Sequence, residues 1–236
     1  MNLKTVGLKK KYGQKTILNG INADINMNVI TGLLGPNGAG KTTFFYILAG
    51  LLNPSKGDVF IDDELITHKS IRERSRLGLV YLPQEPSIFR ELTVYQNIKS
   101  ALEMQDLGSS LLNNKVDEIL VEFDIDNLAK QKGKSLSGGQ RRRVEIARSI
   151  ALNPKFIMLD EPFAGIDPIA IQDLKILINK LSNQGLGILI SDHNVKATMD
   201  ICEEIFIINE GKIISSGSPE EVSKNNIVKE VYLGNS

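Results

Sequence analysis

The sequence has one cysteine and no tryptophan. Because Cys202 is the only cysteine among the 236 residues, no disulfide can form within the chain. Chains without disulfides are typical of reducing compartments, so this composition excludes the disulfide-rich secreted class. We interpret Cys202 as a small buried apolar residue, which is the common role of a free cysteine.

An excess of charge of one sign is also missing. Lys and Arg together number 28, Asp and Glu also number 28, and the formal net charge is +0. Proteins dedicated to nucleic acids usually carry a basic excess. We therefore predict no nucleic-acid partner, and we interpret the run Arg141, Arg142 and Arg143 as a solvated or salt-bridged helix face.

The sequence contains no apolar run long enough to cross a bilayer. Its longest strongly apolar stretch, residues 44–52, has nine residues, whereas a membrane-spanning helix needs about 20. The first residues, MNLKTVGLKK, lack the apolar region of a signal peptide. We expect a cytoplasmic chain, and another chain would supply the membrane part of any membrane process that it serves.

Strand and helix patterns alternate in the first and last thirds of the chain. The strand-like runs cover residues 3–13, 16–26, 29–34, 58–62, 77–82, 156–160 and 188–193. Helical patterns cover residues 41–52 and 171–182, and residues 205–217 resemble a hairpin around Glu210 and Gly211. This alternation predicts an α/β fold built on a buried, mostly parallel sheet.

The middle of the chain has a different pattern. From about residue 93 to 150 the apolar positions recur at helical spacing, as at Val94, Ile98 and Leu102. We predict a single domain over residues 1–236. Its α/β core would comprise about residues 1–86 and 151–236, and a helical subdomain of about residues 87–150 would be inserted into that core.

A glycine-rich loop that fits G-x-x-x-x-G-K-[ST] follows the strand-like run at residues 29–34. Glycines allow several backbone N–H groups to point at one anion, and the N-terminus of the next helix adds partial positive charge. Lys41 can reach the β- and γ-phosphates of a nucleotide, and the Thr42 hydroxyl can bind Mg²⁺. The residues of this predicted phosphate loop are Gly35, Pro36, Asn37, Gly38, Ala39, Gly40, Lys41, Thr42 and Thr43.

Two adjacent carboxylates end the strand-like run at residues 156–160. Ligands in open α/β sheets bind at the carboxyl ends of the strands, which is where Asp160 and Glu161 fall. Asp160 is suited to hold Mg²⁺ through water, and Glu161 is free to accept a proton from an attacking water. An isolated Asp-Glu pair is more often a solvated turn, but the phosphate loop favours the functional interpretation.

The segment Leu136-Ser137-Gly138-Gly139-Gln140, followed by three arginines, resembles the signature of ABC-type ATPases. The resemblance covers nearly the whole chain, and the motifs of the family occur in order. It implies a P-loop NTPase core of the ABC type, with ATP and Mg²⁺ as cofactors. It also implies that this segment binds nucleotide, with Ser137 and Gly139 contacting the γ-phosphate of an ATP held by the opposite subunit.

The same resemblance assigns roles to four further residues. Tyr12 matches the aromatic residue that stacks on adenine, and Asp167 lies in a segment that matches the loop crossing the subunit interface. Gln84 matches the glutamine that senses Mg²⁺ and the attacking water, and His193 matches the histidine that contacts the γ-phosphate. The predicted catalytic residues are Glu161, His193, Lys41 and Gln84, and the predicted metal contacts are Thr42, Gln84 and Asp160.

Two phosphate-binding helix starts in one chain indicate a dimer. The helix that begins at Ser137, Gly138 and Gly139 forms a second anion-binding N-terminus. If the two ends cannot face one nucleotide within a chain, two copies must meet head to tail around two ATP molecules. That closed arrangement is a homodimer with two-fold symmetry and both nucleotides at the interface.

Longer segments resemble the ATPase subunits of bacterial lipopolysaccharide export systems. They cover residues 82–98, 135–170, 191–222 and 231–234. This resemblance implies ATP hydrolysis that drives lipopolysaccharide export, on the cytoplasmic face of the inner membrane. It also implies two integral membrane permease subunits, which we expect to dock near Gln84, Phe89 and Arg90. Gln140 departs from the pattern, because these export ATPases often have Glu there.

Two other functions stay open on the sequence alone. The chemistry would be the same in the ATPase subunit of an importer, such as one for branched-chain amino acids. A soluble ATP-dependent switch is the less favoured alternative, because such proteins commonly carry two ATPase units or a long coiled-coil insertion. This chain has one phosphate loop and no sustained heptads.

Overall fold

The strands of the chain form two sheets. The computed structural model describes residues 1–105 and 108–233. The order β2-β1-β4-β5 makes an antiparallel sheet, and the order β10-β9-β3-β8-β7-β6 makes a sheet that is parallel except for β10. The strands are β1 (Asn2–Tyr12), β2 (Lys15–Asn26), β3 (Ile30–Leu34), β4 (Lys56–Ile61), β5 (Glu64–Leu65), β6 (Leu79–Leu82), β7 (Phe156–Asp160), β8 (Gly187–Ser191), β9 (Glu204–Asn209) and β10 (Lys212–Gly217).

The described residues form nine α-helices, the first of which begins at Lys41. They are α1 (Lys41–Ala49), α2 (Ile71–Arg76), α3 (Val94–Leu102), α4 (Ser109–Glu122), α5 (Gly138–Ile150), α6 (Pro168–Asn183), α7 (Val195–Met199), α8 (Pro219–Lys224) and α9 (Asn226–Val228). Short turns of 3₁₀ helix cover Glu103–Gln105, Asp126–Leu128 and Gly133–Ser135, and Lys229–Leu233 forms a π turn. Within the described ranges, no helix has both the length and the apolar character needed to span a bilayer.

The predicted α/β fold class is confirmed. Every residue of β3, β7 and β8 is buried, as expected for parallel strands covered on both faces. The expectation of one mostly parallel sheet was incomplete, because β1, β2, β4 and β5 form a separate antiparallel sheet. In β1 and β2 buried and more exposed residues partly alternate, as in a sheet with one face on the core.

The helix after the phosphate loop ends earlier than predicted. We expected it to run to Leu52, but α1 ends at Ala49 because Gly50 adopts a left-handed φ of 79° and donates to Ile47 O and Tyr46 O. The buried guanidinium of Arg74 closes this end by donating to the carbonyls of Ile47 and Leu48, each at 2.6 Å. Burial lowers the pKa of Arg74 to about 10.

The helical region between β6 and β7 shares a core with the parallel sheet. Val94, Val116 and Val144 of α3, α4 and α5 belong to the same hydrophobic cluster as Leu159 of β7. A second cluster joins the antiparallel sheet to α1. The described part of the region that we predicted as a helical subdomain has no named strand. Its boundaries at residues 87 and 150 stay a prediction.

The predicted hairpin near residue 210 supports the phosphate loop. Glu210 and Gly211 connect β9 to β10, and both have a positive φ, 47° and 72°, as tight hairpin turns require. The Gly211 N–H donates to Ala39 O at 3.0 Å. This turn of the mostly parallel sheet therefore holds the loop that precedes α1.

Candidate active site

The backbone of the phosphate loop leaves the N-terminus of α1 uncapped. Gly40 is the N-cap residue, with a φ of 113°, and a Cβ there would lie 2.7 Å from Leu18 Cδ2. Among residues 1–105 and 108–233, no side chain caps the first turn of α1, and no acidic residue lies in that turn. The first N–H groups of α1 therefore have no side-chain acceptor, which is the arrangement that binds an anion.

Lys41 lies against the same loop. Its Nζ donates to Gly35 O at 2.7 Å and to Pro36 O at 3.1 Å. Burial lowers the pKa of this ammonium group, and the nearby carboxylates of Glu161 and Asp160 oppose that shift. The carbonyl bonds and the two acidic neighbours keep the positive charge beside the loop.

A cavity of about 290 Å³ joins the phosphate loop to the carboxyl ends of the central strands. The structure brings together here most of the predicted loop residues, both carboxylates and the predicted histidine. Lys15 and Ile17 of β2 also border the cavity, and the sequence analysis did not include them. The lining residues are Lys15, Ile17, Asn37, Gly38, Gly40, Lys41, Thr42, Thr43, Asp160, Glu161, Ser191 and His193.

Three predicted catalytic residues meet at the Glu161 carboxylate. Gln84 Nε2 donates to Glu161 Oε2 at 2.6 Å, and His193 Nε2 lies 2.8 Å from Glu161 Oε1. The Glu161 backbone has a φ of 47° and donates to Ser191 O at 2.6 Å. A positive φ in a residue other than glycine costs about 1–3 kcal/mol. The surrounding contacts therefore hold this carboxylate in a fixed position.

Asp160 is buried and has a fixed environment. The Tyr81 hydroxyl donates to Asp160 Oδ2 at 3.0 Å, and Arg142 Nη2 donates to the Asp160 carbonyl at 3.0 Å. Burial raises the pKa of Asp160, and the Tyr81 hydrogen bond opposes that shift. Burial also raises the pKa of Tyr81, so its hydroxyl acts as a donor.

The donor set at this end of β7 fits a magnesium ion that binds with a nucleotide. Residues 1–105 and 108–233 contain no group of three or more His, Cys, Asp or Glu side chains that could hold a metal alone. Mg²⁺ commonly takes one or two protein oxygens and completes its shell with phosphate oxygens and water. Asp160 and the exposed Thr42 hydroxyl can supply these protein oxygens. Gln84, the third predicted metal contact, donates from its amide Nε2 to Glu161, and its contact with the metal stays a prediction.

The signature segment, residues 136–140, forms the start of α5, which lies apart from the phosphate-loop cavity. Ser137 caps α5 by accepting from Gln140 N at 3.2 Å, and Gln140 Oε1 accepts from Ser137 N at 3.0 Å. A Cβ on Gly139 would lie 2.6 Å from Ala170 Cβ of α6, and one on Gly138 would lie 3.0 Å from Gly165 O. Ser137, Gly139 and Gln140 border their own cavity of about 260 Å³ and not the phosphate-loop cavity.

Two predicted nucleotide contacts also lie outside the phosphate-loop cavity. Tyr12 is exposed at the end of β1, and the Lys10 ammonium is 5.1 Å from the centroid of its ring. Lys15, which pairs with Tyr12 across the β1–β2 turn, does border the cavity. Asp167 caps α6 by accepting from Ile169 N at 3.1 Å and Ala170 N at 2.9 Å. The predicted roles of Tyr12 and Asp167 stay predictions.

Of the two alternatives for the arginine run, solvated or salt-bridged, Arg142 is salt-bridged but is not part of a solvated face. Its guanidinium is buried, donates to Pro83 O at 2.9 Å and pairs with Glu145 Oε2 at 3.4 Å. Glu145 Oε1 in turn accepts from Ser87 N at 2.8 Å and from Ile88 N at 3.3 Å. This ion pair of α5 therefore holds both sides of the loop that carries Gln84. The one sequence signal was the spacing of three residues between opposite charges on a helix.

The loop after Gln84 presents Phe89 at the surface. The Phe89 ring is half exposed, and the Arg148 guanidinium lies 4.9 Å from its centroid. Asn97 is fully buried and fixes this loop, because it accepts from Phe89 N and donates to the carbonyls of Phe89 and Thr93. Arg90 is exposed next to Phe89. Asn97 lies within residues 82–98, but no sequence pattern assigned it a role.

Comparison with known proteins identifies the family. Residues 18–164, more than half of the chain, match the family model described as ABC transporter. The chain belongs to the ABC transporter family. The lipopolysaccharide export system ATP-binding protein LptB of Haemophilus influenzae is 50% identical to it over 96% of this chain and 95% of the relative. The protein of the same name from Escherichia coli K12 is 47% identical over the same shares.

Solved structures of other ABC transporter proteins share the fold. A nucleotide-free ATP-binding cassette from an ABC transporter superposes with a TM-score of 0.88 at 29% identity, covering 100% of both chains. The cbiO1 protein of Clostridium perfringens, part of the cbiONQ transporter complex, gives 0.87 at 31% identity, over 98% of this chain and 94% of that one. The predicted ABC-type ATPase fold is therefore confirmed for this family member.

Proposed function

We propose that this ABC transporter protein hydrolyses ATP to drive lipopolysaccharide export from the inner membrane. One observation carries the enzymatic part, namely the Glu161 carboxylate held by Gln84 and His193 at the edge of the phosphate-loop cavity. The cargo rests on relatives that are 47–50% identical over 96% of the chain and are named for lipopolysaccharide export.

ATP would bind with its phosphates at the start of α1. The first residues of α1, which have no side-chain cap, border the cavity, and the Lys41 ammonium donates to two loop carbonyls there. An incoming phosphate would replace Gly35 O and Pro36 O as the acceptor of Lys41, because a charged acceptor forms the stronger hydrogen bond. Thr42 and Asp160 would hold Mg²⁺, which neutralises charge on the phosphate oxygens.

Glu161 would act as the general base. Its two carboxylate oxygens are held by different partners, Oε2 by Gln84 and Oε1 by His193. The carboxylate would take a proton from the attacking water, and positioning of this kind typically contributes 10²–10⁴-fold in rate. Lys41 and His193 would stabilise the negative charge that develops on the transferred phosphate.

Two copies of the chain would complete the nucleotide sites. The phosphate loop and the Ser137 end of α5 border different cavities in one chain, which supports a head-to-tail pair with ATP between them. Ser137 and Gly139 of one copy would contact the γ-phosphate held by the other. Asp167 would lie at the interface between the copies, and Tyr12 would stack on adenine.

Two integral membrane permease subunits would dock on the loop that carries Phe89 and Arg90, placing this protein on the cytoplasmic face of the inner membrane. The half-exposed Phe89 ring is a large apolar group available to a partner. Glu145 and Arg142 tie the preceding loop, with Gln84 in it, to α5. Movement of a docked partner would thereby be transmitted to Gln84, and through Gln84 to the Glu161 carboxylate.

The proposal is tested by gentle detergent purification of this chain from its own membranes, with co-purifying subunits identified by mass. We expect two related permeases with large periplasmic domains, together with bound lipopolysaccharide. Permeases that accompany a periplasmic amino-acid-binding protein would overturn the export proposal in favour of an importer. Purification with no membrane subunit would overturn both transport functions.

A substitution of Phe89 tests the docking site. Phe89→Ala should reduce recovery of the permeases at least tenfold and leave the ATPase activity of the isolated chain unchanged. Val121→Ala is the matched control, because Val121 is 69% exposed on α4 and lies outside the proposed docking loop. Intact assembly and transport in the Phe89 variant would contradict the proposal that the permeases dock at Phe89.

A further inference from the structure

Tyr81 joins the helix of the phosphate loop to the carboxylate at the end of β7. It lies on β6, next to β7, and its ring makes edge contacts with Phe45 and Tyr46 of α1 at centroid distances of 6.4 Å and 6.2 Å. Its hydroxyl donates to Asp160 Oδ2 at 3.0 Å. Tyr81 belongs to none of the motifs that the sequence analysis used.

This contact restricts how the Asp160 carboxylate can turn. The Tyr81 hydrogen bond engages Oδ2, while the Arg142 guanidinium fixes the backbone carbonyl of the same residue at 3.0 Å. Asp160 is also only 7% exposed to solvent, so water cannot readily replace the Tyr81 hydroxyl. The second carboxylate oxygen, Oδ1, is then the one that the Tyr81 bond leaves for another partner.

We infer that Tyr81 is a positioning residue that holds Asp160 ready for the divalent metal ion of the nucleotide. The inference rests on the proposed function, because it requires a metal-dependent nucleotide site at this end of β7. Carboxylates that bind metals are commonly held by a further hydrogen bond, and loss of such a partner lowers metal affinity about 10–100-fold. The ring contacts tie this positioning to α1, which carries Lys41 and Thr42 at its start.

Tyr81→Phe separates this role from packing. The substitution keeps the ring that contacts Phe45 and Tyr46 and removes only the hydroxyl that reaches Asp160. Tyr46→Phe is the matched control, because it removes a hydroxyl from the same aromatic cluster, where Tyr46 is 40% exposed. A purely structural role for the Tyr81 hydroxyl would change thermal stability and would not act through the metal.

The experiment measures the Kd of a non-hydrolysable ATP analogue in EDTA and across a Mg²⁺ titration, for the full chain and both variants. In Tyr81→Phe, half-maximal tightening of nucleotide binding should need about tenfold more Mg²⁺, and the Kd in EDTA should stay within twofold of the unsubstituted chain. Tyr46→Phe should match the unsubstituted chain in both conditions. Each variant serves as its own reference, so a lower Tm would not obscure the Mg²⁺ dependence.

The outcomes separate this inference from the proposed function. An unchanged Mg²⁺ requirement in Tyr81→Phe, or an equal loss of affinity with and without Mg²⁺, would overturn the positioning role alone. An unsubstituted chain that binds the analogue equally well in EDTA and Mg²⁺ would overturn the metal-dependent site itself. Absence of any binding to the unsubstituted chain would overturn the proposed ATPase function.

Discussion

The starts of α1 and α5 both carry glycines, yet they treat their free N–H groups differently. At α1 the N-cap is Gly40, and neither a capping side chain nor an acidic residue lies in the first turn. At α5 the Ser137 side chain accepts from Gln140 N, and the Gln140 side chain accepts from Ser137 N. One helix end is open to an anion, and the other is partly closed by its own side chains.

This difference gives the two helix ends unequal parts in nucleotide binding. The start of α1 can hold phosphates in a single chain, because no side chain competes for its N–H groups. The start of α5 gains less from an anion, because part of its hydrogen bonding is already satisfied within the helix. We therefore expect α5 to contribute only when a second copy presents its nucleotide, and variants at both ends test this.

The largest effect is expected at Glu161, which borders the phosphate-loop cavity and also a cleft shared with Gly138 of α5. In Glu161→Gln the amide cannot accept a proton, so turnover should fall about 10³-fold. ATP affinity should stay within a few-fold, since the start of α1 is untouched. Phosphate release and the Kd for ATP measure the two quantities, and size-exclusion chromatography with ATP should show an accumulated dimer.

Glu118→Gln is the control for this variant, because Glu118 is an exposed glutamate on α4. Its turnover should equal that of the unsubstituted chain. Near-normal turnover in Glu161→Gln would rule out Glu161 as the general base. The difference between the starts of α1 and α5 would then have no demonstrated effect on catalysis.

The second effect concerns the open helix end. In Gly40→Ala the new Cβ would lie 2.7 Å from Leu18 Cδ2 and 3.1 Å from Ile17 O. The backbone φ of 113° is also one that residues with a side chain rarely adopt. Strain of this kind costs about 1–3 kcal/mol, so the loop should shift and ATP affinity should fall at least tenfold. Calorimetric titration with ATP measures the loss.

Gly108→Ala is the matched control, because Gly108 is the N-cap of α4 with a φ of −61°, and an added Cβ there would meet no atom of the described residues within 4 Å. It should leave ATP affinity unchanged. Equal ATP affinities in the two variants would show that the start of α1 does not depend on the glycine conformation.

Sequence predicted where both helix ends lie but not how they differ. The phosphate loop and the signature each require a tight turn before a helix, so local pattern placed α1 and α5 near their observed starts. Local pattern could not predict the contacts around Glu161. Gln84 lies 77 residues away from Glu161 in the chain, and the two side chains meet only because separate loops pack together. The functional roles of these residues stay predictions until they are measured.

The sequence pattern also failed to predict the burial of a charged residue and the shortest helices. The continuous apolar runs of β3, β7 and β8 were visible, since parallel strands are buried on both faces. The arginine run was interpreted as a solvated or salt-bridged helix face. Arg142 is salt-bridged to Glu145, but the pattern did not show its burial, where it also donates to the Pro83 carbonyl. Helices as short as α2 and α7 carry too few turns for a periodic signal.

A smaller effect is expected at the closed helix end. Ser137→Ala removes the cap of α5 and should lower the free energy of unfolding by about 1 kcal/mol. Turnover should fall several-fold, because the proposed contact to the second copy's nucleotide is lost. The Kd for ATP of the isolated chain should not change, because α1 alone supplies that site. Denaturant unfolding, phosphate release and nucleotide titration distinguish these three quantities.

Ser218→Ala is the control, because Ser218 caps α8 in the same kind of capping box, with Glu221. It should produce the same loss of stability with unchanged turnover. If Ser137→Ala weakened ATP binding to the single chain, the proposal that α1 alone binds ATP within one chain would be incorrect.

The smallest effect is expected at Gln140. A glutamate can make the same capping box with Ser137 and adds negative charge at a helix N-terminus, which stabilises a helix by about 0.3–1 kcal/mol. In the nucleotide-bound dimer that charge would also lie near the second copy's phosphates. Gln140→Glu should therefore raise the Tm slightly and weaken ATP-driven dimerisation a few-fold, more so at low salt because added salt screens the repulsion.

Gln96→Glu isolates the part of this effect that comes from the nucleotide. Gln96 forms an equivalent capping box with Thr93 at the start of α3, away from both cavities. It should raise the Tm by a similar amount and leave dimerisation independent of salt. A salt-dependent difference between the two variants, measured by sedimentation with ATP, would indicate that the start of α5 meets a phosphate. Equal behaviour would mean that α5 only packs there.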